Sequence, residues 1–209
     1  DPDDWYVEPT WTGDALFAKQ KFAGTVVDPC CGLGRVLDAA WRAGLPTLGF
    51  DIKDRGASAR HHFAIADFFA SRDRFENIAC NPPYKYDDEF LARAIERTER
   101  VTAVLLRAQW ANAGERSKWL ETLPLRRVLA LAPRPSMPPG AVIAAGEPAS
   151  GGQQDYAWFV FERGYTGEPT FGWARRARAQ LQPALFLSET ESLRESADSD
   201  SPATAHPTG

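Results

Sequence analysis

Cysteine, histidine and long apolar runs are what this sequence has least of. Three cysteines, Cys30, Cys31 and Cys80, and three histidines occur in 209 residues. They form no Cys-x-x-Cys pair and no ligand-type histidine spacing, so no metal is expected. A small, odd cysteine count suits a reducing compartment, and a cytoplasmic location is the expectation. No stretch approaches the roughly 20 apolar residues that cross a bilayer, so a membrane is not an expected partner. No signal peptide is visible, and because the chain opens on Asp1 rather than Met an upstream piece is allowed for. Internal repeats are absent too. The length fits one domain with a sizeable core.

The net charge of −4 is unevenly spread. The first eight residues hold Asp1, Asp3, Asp4 and Glu8 and no base, and residues 186–209 hold five acids and one base, which leaves 9–185 at +4. A mildly basic body permits a phosphate backbone as partner without requiring one. From about Pro183 the chain becomes rich in Ser, Glu and Pro. A domain over 1–182 followed by a disordered acidic tail over 183–209 is therefore expected.

Strand and helix patterns alternate along the body. Gly24–Val27 reads as a strand ending at Asp28, Pro46–Phe50 as one ending at Asp51, and His61–Ala66 as one ending at Asp67. Ile78–Cys80 reads as a fourth, Val101–Leu106 and Arg127–Leu131 as two more, and Tyr156–Glu162 as a strong one with which Thr170–Ala174 is expected to pair. Helices are predicted over Asp14–Gln20, Arg35–Arg42, Asp87–Glu99 and Gly114–Leu120. Pro133–Gly152 reads as a long loop. The pattern predicts an α/β fold, a mostly parallel sheet with helices on both faces. Ligands of such sheets bind beyond the carboxyl ends of the strands, so Asp28, Asp51, Asp67 and Asn81 are expected around one cleft.

Two segments carry chemistry. Asp28-Pro29-Cys30-Cys31-Gly32-Leu33-Gly34 joins a strand to a helix through a glycine turn that lets backbone approach a ligand. Leu37 stands where a dinucleotide fingerprint has its third glycine, and Asp28 at the strand tip disfavours a diphosphate. A carboxylate there suits a cationic amino group, Asp51 suits ribose hydroxyls, and Asp67-Phe68 offers an acceptor and a ring for a purine. The second segment is Asn81-Pro82-Pro83-Tyr84. Two acceptors, the Asn81 side-chain oxygen and the Pro82 carbonyl, can draw a planar amino group towards tetrahedral geometry and stabilise the charge it develops on attack. Prolines hold those oxygens in place, and Tyr84 offers a face for a base.

At these residues the chain resembles the amino-group DNA methyltransferases, specifically adenine-N6 enzymes of the Asn-Pro-Pro-Tyr type in their compact phage and prophage form. Trp5-Tyr6-Val7-Glu8-Pro9-Thr10-Trp11 resembles their N-terminal motif, and Tyr156–Gly164 their late strand; the likeness covers roughly residues 5–175. It implies a Rossmann-like methyltransferase fold with a seven-stranded sheet, S-adenosyl-L-methionine as cofactor, DNA as substrate and base flipping before transfer. It implies Asn81, Pro82, Pro83 and Tyr84 as the catalytic group. It implies cofactor contacts from Tyr6, Pro9, Thr10, Trp11, Asp28, Pro29, Cys30, Gly32, Gly34, Asp51, Ile52, Asp67, Phe68 and Asn81. Many relatives carry a separate target-recognition domain; within these residues the Pro133–Gly152 loop and basic helices are what is available for that work.

Three readings of function stay open. The leading one is methylation of adenine N6 in DNA, as in restriction-modification; the second moves the acceptor to RNA or to a protein glutamine amide, which presents the same two N–H bonds; the third is an idle cofactor-binding subunit of a larger complex. Arg107, Arg134, Arg163, Arg175 and Arg176 are candidates for phosphate contact or plain surface. Trp110 and Trp158 read as core, His61 and His62 as structural.

Overall fold

The computed structural model describes residues 4–148 and 151–177, which form one compact unit. The proposed tail over 183–209, and the stretch 178–182 assigned to the domain, lie outside the described residues.

Eight strands form one sheet in the order β3-β2-β1-β4-β5-β7-β6-β8. They are β1 (Val26–Asp28), β2 (Thr47–Asp51), β3 (Phe63–Ile65), β4 (Phe75–Cys80), β5 (Thr98–Arg107), β6 (Leu125–Ala132), β7 (Tyr156–Glu162) and β8 (Thr170–Arg175). The first five run parallel, and β7 inserts antiparallel between β5 and β6. The expected Rossmann-like, mostly parallel architecture is present with one strand more than the seven expected. The extra strand is β8, and its pairing differs from the sequence reading. It joins β6 in parallel, Arg127 opposite Thr170 and Ala132 opposite Arg175, instead of joining β7. Both edges of β7 are already taken by β5 and β6, so the edge of β6 is where new backbone hydrogen bonds are available.

The central strands are buried on both faces, as parallel strands covered by helices must be. Val26 faces α1 (Thr10–Lys19) and α2 (Arg35–Arg42), while Val27 faces the other layer, which contains α3 (Asp87–Arg97) and Leu120 of α4 (Gly114–Glu121). Ile78 and Cys80 of β4 point to that second layer and Ala79 to the first. This alternation sets which residues of the chain reach the strand ends together. Trp110 and Trp158 are core residues; the Trp158 indole N–H donates to the Thr12 carbonyl at 2.9 Å.

Helix α1 starts at Thr10, four residues earlier than the sequence suggested, because Pro9 stands at its N-cap with a fixed extended backbone. The Thr12 hydroxyl donates back to the Pro9 carbonyl at 2.8 Å. Gly13 lies against α2, where an added Cβ would come 2.7 Å from the Ala39 Cβ. The long loop also holds a short helix, α5 (Gly140–Ala144). Ahead of it the loop bridges to the N-terminal segment through Tyr6 and Pro139.

Gly13→Val should force α1 away from α2. The expected loss is about 1–3 kcal/mol, typical of overpacking, read by denaturant unfolding; stability equal to the parent would contradict the close contact.

Candidate active site

The glycine turn after β1 is built by backbone conformation and one buried acid. Gly32 and Gly34 adopt φ of 51° and 76°, values that side chains resist. The Gly32 N–H donates to Asp51 Oδ2 at 2.9 Å, and the Cys31 N–H donates to the Phe50 carbonyl at 2.9 Å. Asp51 also accepts from the Lys53 N–H at 3.2 Å and pairs with Arg55 at 3.7 Å. It is therefore an organiser of the turn as well as a cavity-wall acid.

A cavity of about 480 Å³ lies beyond the carboxyl ends of β1, β2 and β4. Its volume suits a small-molecule ligand. Asp28, Asp51, Asp67 and Asn81 all line it, as the strand-end argument anticipates. So do Tyr6, Pro29, Cys30, Gly32, Ile52, Phe68, Pro82 and Pro83. Four of the residues named as cofactor contacts do not line it. Pro9 and Thr10 start α1, Trp11 packs into the α1–α2 core layer, and Gly34 caps α2 from a buried position.

Tyr84 differs most from expectation. Its hydroxyl donates to Asn81 Oδ1 at 2.8 Å. Its ring lies 5.7 Å from that of Tyr6 and 6.0 Å from that of Tyr156, with the Arg107 guanidinium 5.6 Å over it. A base stacked on Tyr84 has to displace one of these groups. The ring instead lines a smaller cavity of about 260 Å³ with Asp87, Arg107, Gln109 and Trp110.

Both N–H donors of the Asn81 carboxamide are engaged. Its Nδ2 donates to the Tyr6 carbonyl at 3.0 Å and to Glu8 Oε2 at 3.0 Å. Glu8 is the residue the sequence reading passed over: it sits in the quoted N-terminal motif but was given no role. The available signal was an acid set between Val7 and Pro9 in an aromatic stretch, a place where a solvated charge is unusual. Trp5 and Arg55 were also unassigned. The Arg55 guanidinium lies 4.3 Å over the Trp5 ring at the cavity wall.

The wall is electrostatically costly. Burial pushes Asp28 well above the usual carboxylate range, the Glu8 carboxylate adds to this, and a hydrogen bond from the Cys30 N–H opposes it. Burial likewise raises Glu8, against its hydrogen bonds and Arg35. Cys30 and Cys80 are both raised by burial, so the two thiols are protonated neighbours. With Asp28 their ligand-type atoms lie within 4.8 Å of one another, a clustering that sequence spacing gave no sign of. Metal binding there requires deprotonating both thiols against that burial.

Other expected features fall outside the cavity. Arg163 donates to the Thr98 carbonyl at 2.7 Å, a structural tie between β7 and β5, and Arg134 pairs with Asp155 at 2.7 Å. Arg175 covers the Trp173 ring at 5.4 Å. His61 bonds Asp38 at 2.9 Å, a structural contact.

No family model and no curated protein matches the sequence. Solved structures do match in shape. The M protein of the type I restriction enzyme EcoKI aligns with a TM-score of 0.55 at 14% identity, over 78% of this chain and 44% of that one. A candidate RNA methyltransferase of Pyrococcus horikoshii aligns with a TM-score of 0.53 at 15% identity, over 73% and 81%. Magnesium protoporphyrin IX methyltransferase of Synechocystis PCC 6803, solved with bound S-adenosylmethionine, aligns with a TM-score of 0.51 at 11% identity, over 74% and 79%.

The fold is that of the S-adenosylmethionine-dependent methyltransferases. At these identities the likeness concerns architecture; the substrate has to be argued from the cavity. No described helix is long and apolar enough to cross a membrane.

Asp28 gives a pH prediction. Its carboxyl is raised above the unfolded value of 3.8, so the folded state binds the proton more tightly. The associated stability is complete below that value and is lost as pH rises through the folded pKa. Asp28→Asn keeps the acceptor for the Cys30 N–H and removes the titration. Its melting temperature should exceed the parent's at neutral pH, with the gap closing as pH falls towards 4; a gap that does not vary with pH contradicts the assignment.

Proposed function

We propose that this chain transfers the methyl group of S-adenosyl-L-methionine to the N6 amino group of adenine in DNA. The observation that carries the reading is the position of Asn81-Pro82-Pro83 on the wall of the 480 Å³ cavity, beside the acids at the ends of β1 and β2. The methyltransferase fold supports the cofactor assignment, and so does the wall. Asp28 is a buried acid at the strand tip: a cation beside it, such as an ammonium or sulfonium, favours its ionised form, whereas an NAD-type diphosphate gains nothing from it. Phe68 and Ile52 supply apolar surface for a purine, with Asp67 at its edge.

Bound S-adenosylmethionine supplies an electrophilic methyl on sulfur; the chain's own residues prepare the amine. Asn81 Oδ1 has two lone pairs, one used by the Tyr84 hydroxyl. The second lone pair and the Pro82 carbonyl accept the two amino N–H bonds. This weakens delocalisation of the nitrogen lone pair and stabilises the positive charge that develops on attack. The amine proton leaves afterwards, so no strong base is needed first. The buried Pro82 and half-buried Pro83 keep both acceptors fixed. Base flipping supplies the substrate geometry, since a stacked adenine keeps its amino group inside the duplex.

RNA and the glutamine amide remain alternative acceptors of the same chemistry, because both present an NH₂ on a planar centre. The basic body of the chain and the likeness to the N-terminal and late-strand motifs of DNA enzymes favour DNA. The idle-subunit reading is disfavoured by the intact Asn81 hydrogen-bond set.

The test incubates the full chain and S-adenosylmethionine with unmethylated duplex DNA, with RNA and with glutamine-bearing protein, followed by mass spectrometry of digests. N6-methyladenine from DNA is expected. Asn81→Ala should reduce turnover by about 10²–10³-fold or more, the range for losing one preorganised acceptor, while cofactor affinity stays near that of the parent. Methyl transfer only to RNA or protein replaces the acceptor assignment, and retained turnover in Asn81→Ala removes the role given to that residue.

A further inference from the structure

Glu8 enters the cavity wall from a segment far from Asn81 in sequence, and it is held there from two sides. The Arg35 guanidinium at the start of α2 donates to the Glu8 carbonyl at 2.7 Å, and the Val7 N–H donates to the Pro138 carbonyl at 3.0 Å. The Glu8 side chain then accepts from Asn81 Nδ2 at 3.0 Å with the residue 8% exposed. For packing alone an apolar side chain is cheaper at such a position, because a buried acid loses its hydration. Asp28 lies close enough to add like-charge repulsion. Against those costs the carboxyl accepts from its own backbone N–H and, as its tie to another segment, from the Asn81 amide.

That bond decides which way the amide faces. A carboxamide has two N–H donors and one oxygen with two lone pairs, and its two ends have nearly the same shape. Here both donors are used, one on the Tyr6 carbonyl and one on Glu8 Oε2, and the oxygen receives the Tyr84 hydroxyl. Turning the amide over sets its oxygen against the Tyr6 carbonyl and the Glu8 carboxylate, an arrangement of lone pairs with no proton between them while Glu8 is ionised. It also presents an NH₂ to the space where an amino group is to be accepted. With Glu8 removed, the Tyr6 carbonyl is the one remaining acceptor and the preference weakens. The carboxylate also polarises the amide through the shared proton, increasing electron density on Oδ1.

We propose that Glu8 is a positioning residue: its carboxyl fixes the polarity of the Asn81 carboxamide so that Oδ1 faces the incoming amino group. The inference rests on the role given to Asn81 above and adds the device that makes that role possible. Glu8 acts through Asn81 and does not itself take the methyl or the amine proton.

The test compares the full chain with Glu8→Ala and Glu8→Gln, using S-adenosylmethionine and unmethylated duplex DNA. Glutamine keeps an oxygen that can accept from Asn81 Nδ2; alanine does not. Glu8→Ala should lower kcat by about 100-fold, the low end for losing an oriented electrostatic group. Glu8→Gln should stay within about tenfold of the parent, and cofactor affinity and the KM for DNA should stay within about threefold in both, since neither variant removes a binding contact in this account. A second readout does not need turnover. The Asn81 side-chain amide protons, followed by NMR, should exchange slowly in the parent and in Glu8→Gln and rapidly in Glu8→Ala. Full kcat in Glu8→Ala, a glutamine variant as impaired as alanine, or a loss that tracks cofactor affinity overturns the proposal, as does equal exchange in all three proteins. If the parent methylates nothing while the exchange pattern is as expected, the methyl-transfer reading fails and the hold of Glu8 on Asn81 stands.

Discussion

The N-terminal segment from Asp4 to Glu8 is pinned across the carboxyl ends of the central strands, and the geometry of the cavity follows from that. Its backbone is hydrogen-bonded to the loop after β6 at Val7–Pro138 and Trp5–Gly140. Asp4 accepts from the Lys85 N–H, and Tyr6 and Glu8 both receive the Asn81 amide. Trp5 lies so close to Gly140 that an added Cβ would fall 2.0 Å from the ring. A short stretch without helix or strand of its own thus joins three distant parts of the chain. Few of these bonds are strong singly, and their effect is cumulative because each fixes the partner of the next.

The cavity behind that segment gathers buried acids in its wall. Glu8, Asp28 and Asp51 are all buried, Asp51 while tied to the glycine turn. Arg35 donates to the Glu8 backbone carbonyl, and its charge lowers the Glu8 carboxyl against the burial that raises it. Acidic side chains thus gather at one end of the wall, beside aromatic surface from Phe68 and Phe69. A ligand with a cationic portion and a flat ring satisfies both ends. Dinucleotide binders of the doubly wound architecture place a diphosphate on the helix N-terminus, where this chain sets the buried Asp28 at the strand tip.

Tyr84 illustrates how a motif residue can be legible in kind and not in placement. Its hydroxyl and ring are both committed, the first to Asn81 and the second to a cluster with Tyr6, Tyr156 and Arg107. The cluster couples the motif to β5 and β7 as well as to the N-terminal segment. Any substrate that approaches Asn81 meets a site already organised by aromatic contacts.

The sequence by itself determined the alternation of strands and helices, the three aspartates beyond successive parallel strands, and the Asn81-Pro82-Pro83 motif after β4. These are local signals: runs of β-branched residues, glycines where φ must be positive, and prolines that restrict their neighbours. Four of the expected cofactor residues, Pro9, Thr10, Trp11 and Gly34, were placed by position in a motif, and the helix start and the turn direct them away from the cavity. Tertiary structure alone decided that β8 pairs with β6, since only the assembled sheet reveals which edge is free. It also decided that Glu8 meets Asn81, because a bond between residues 73 apart depends on how a loop, a helix start and two strand ends are packed together. Periodicity reports which face of an element is buried; it carries no information on which buried acid will find which amide.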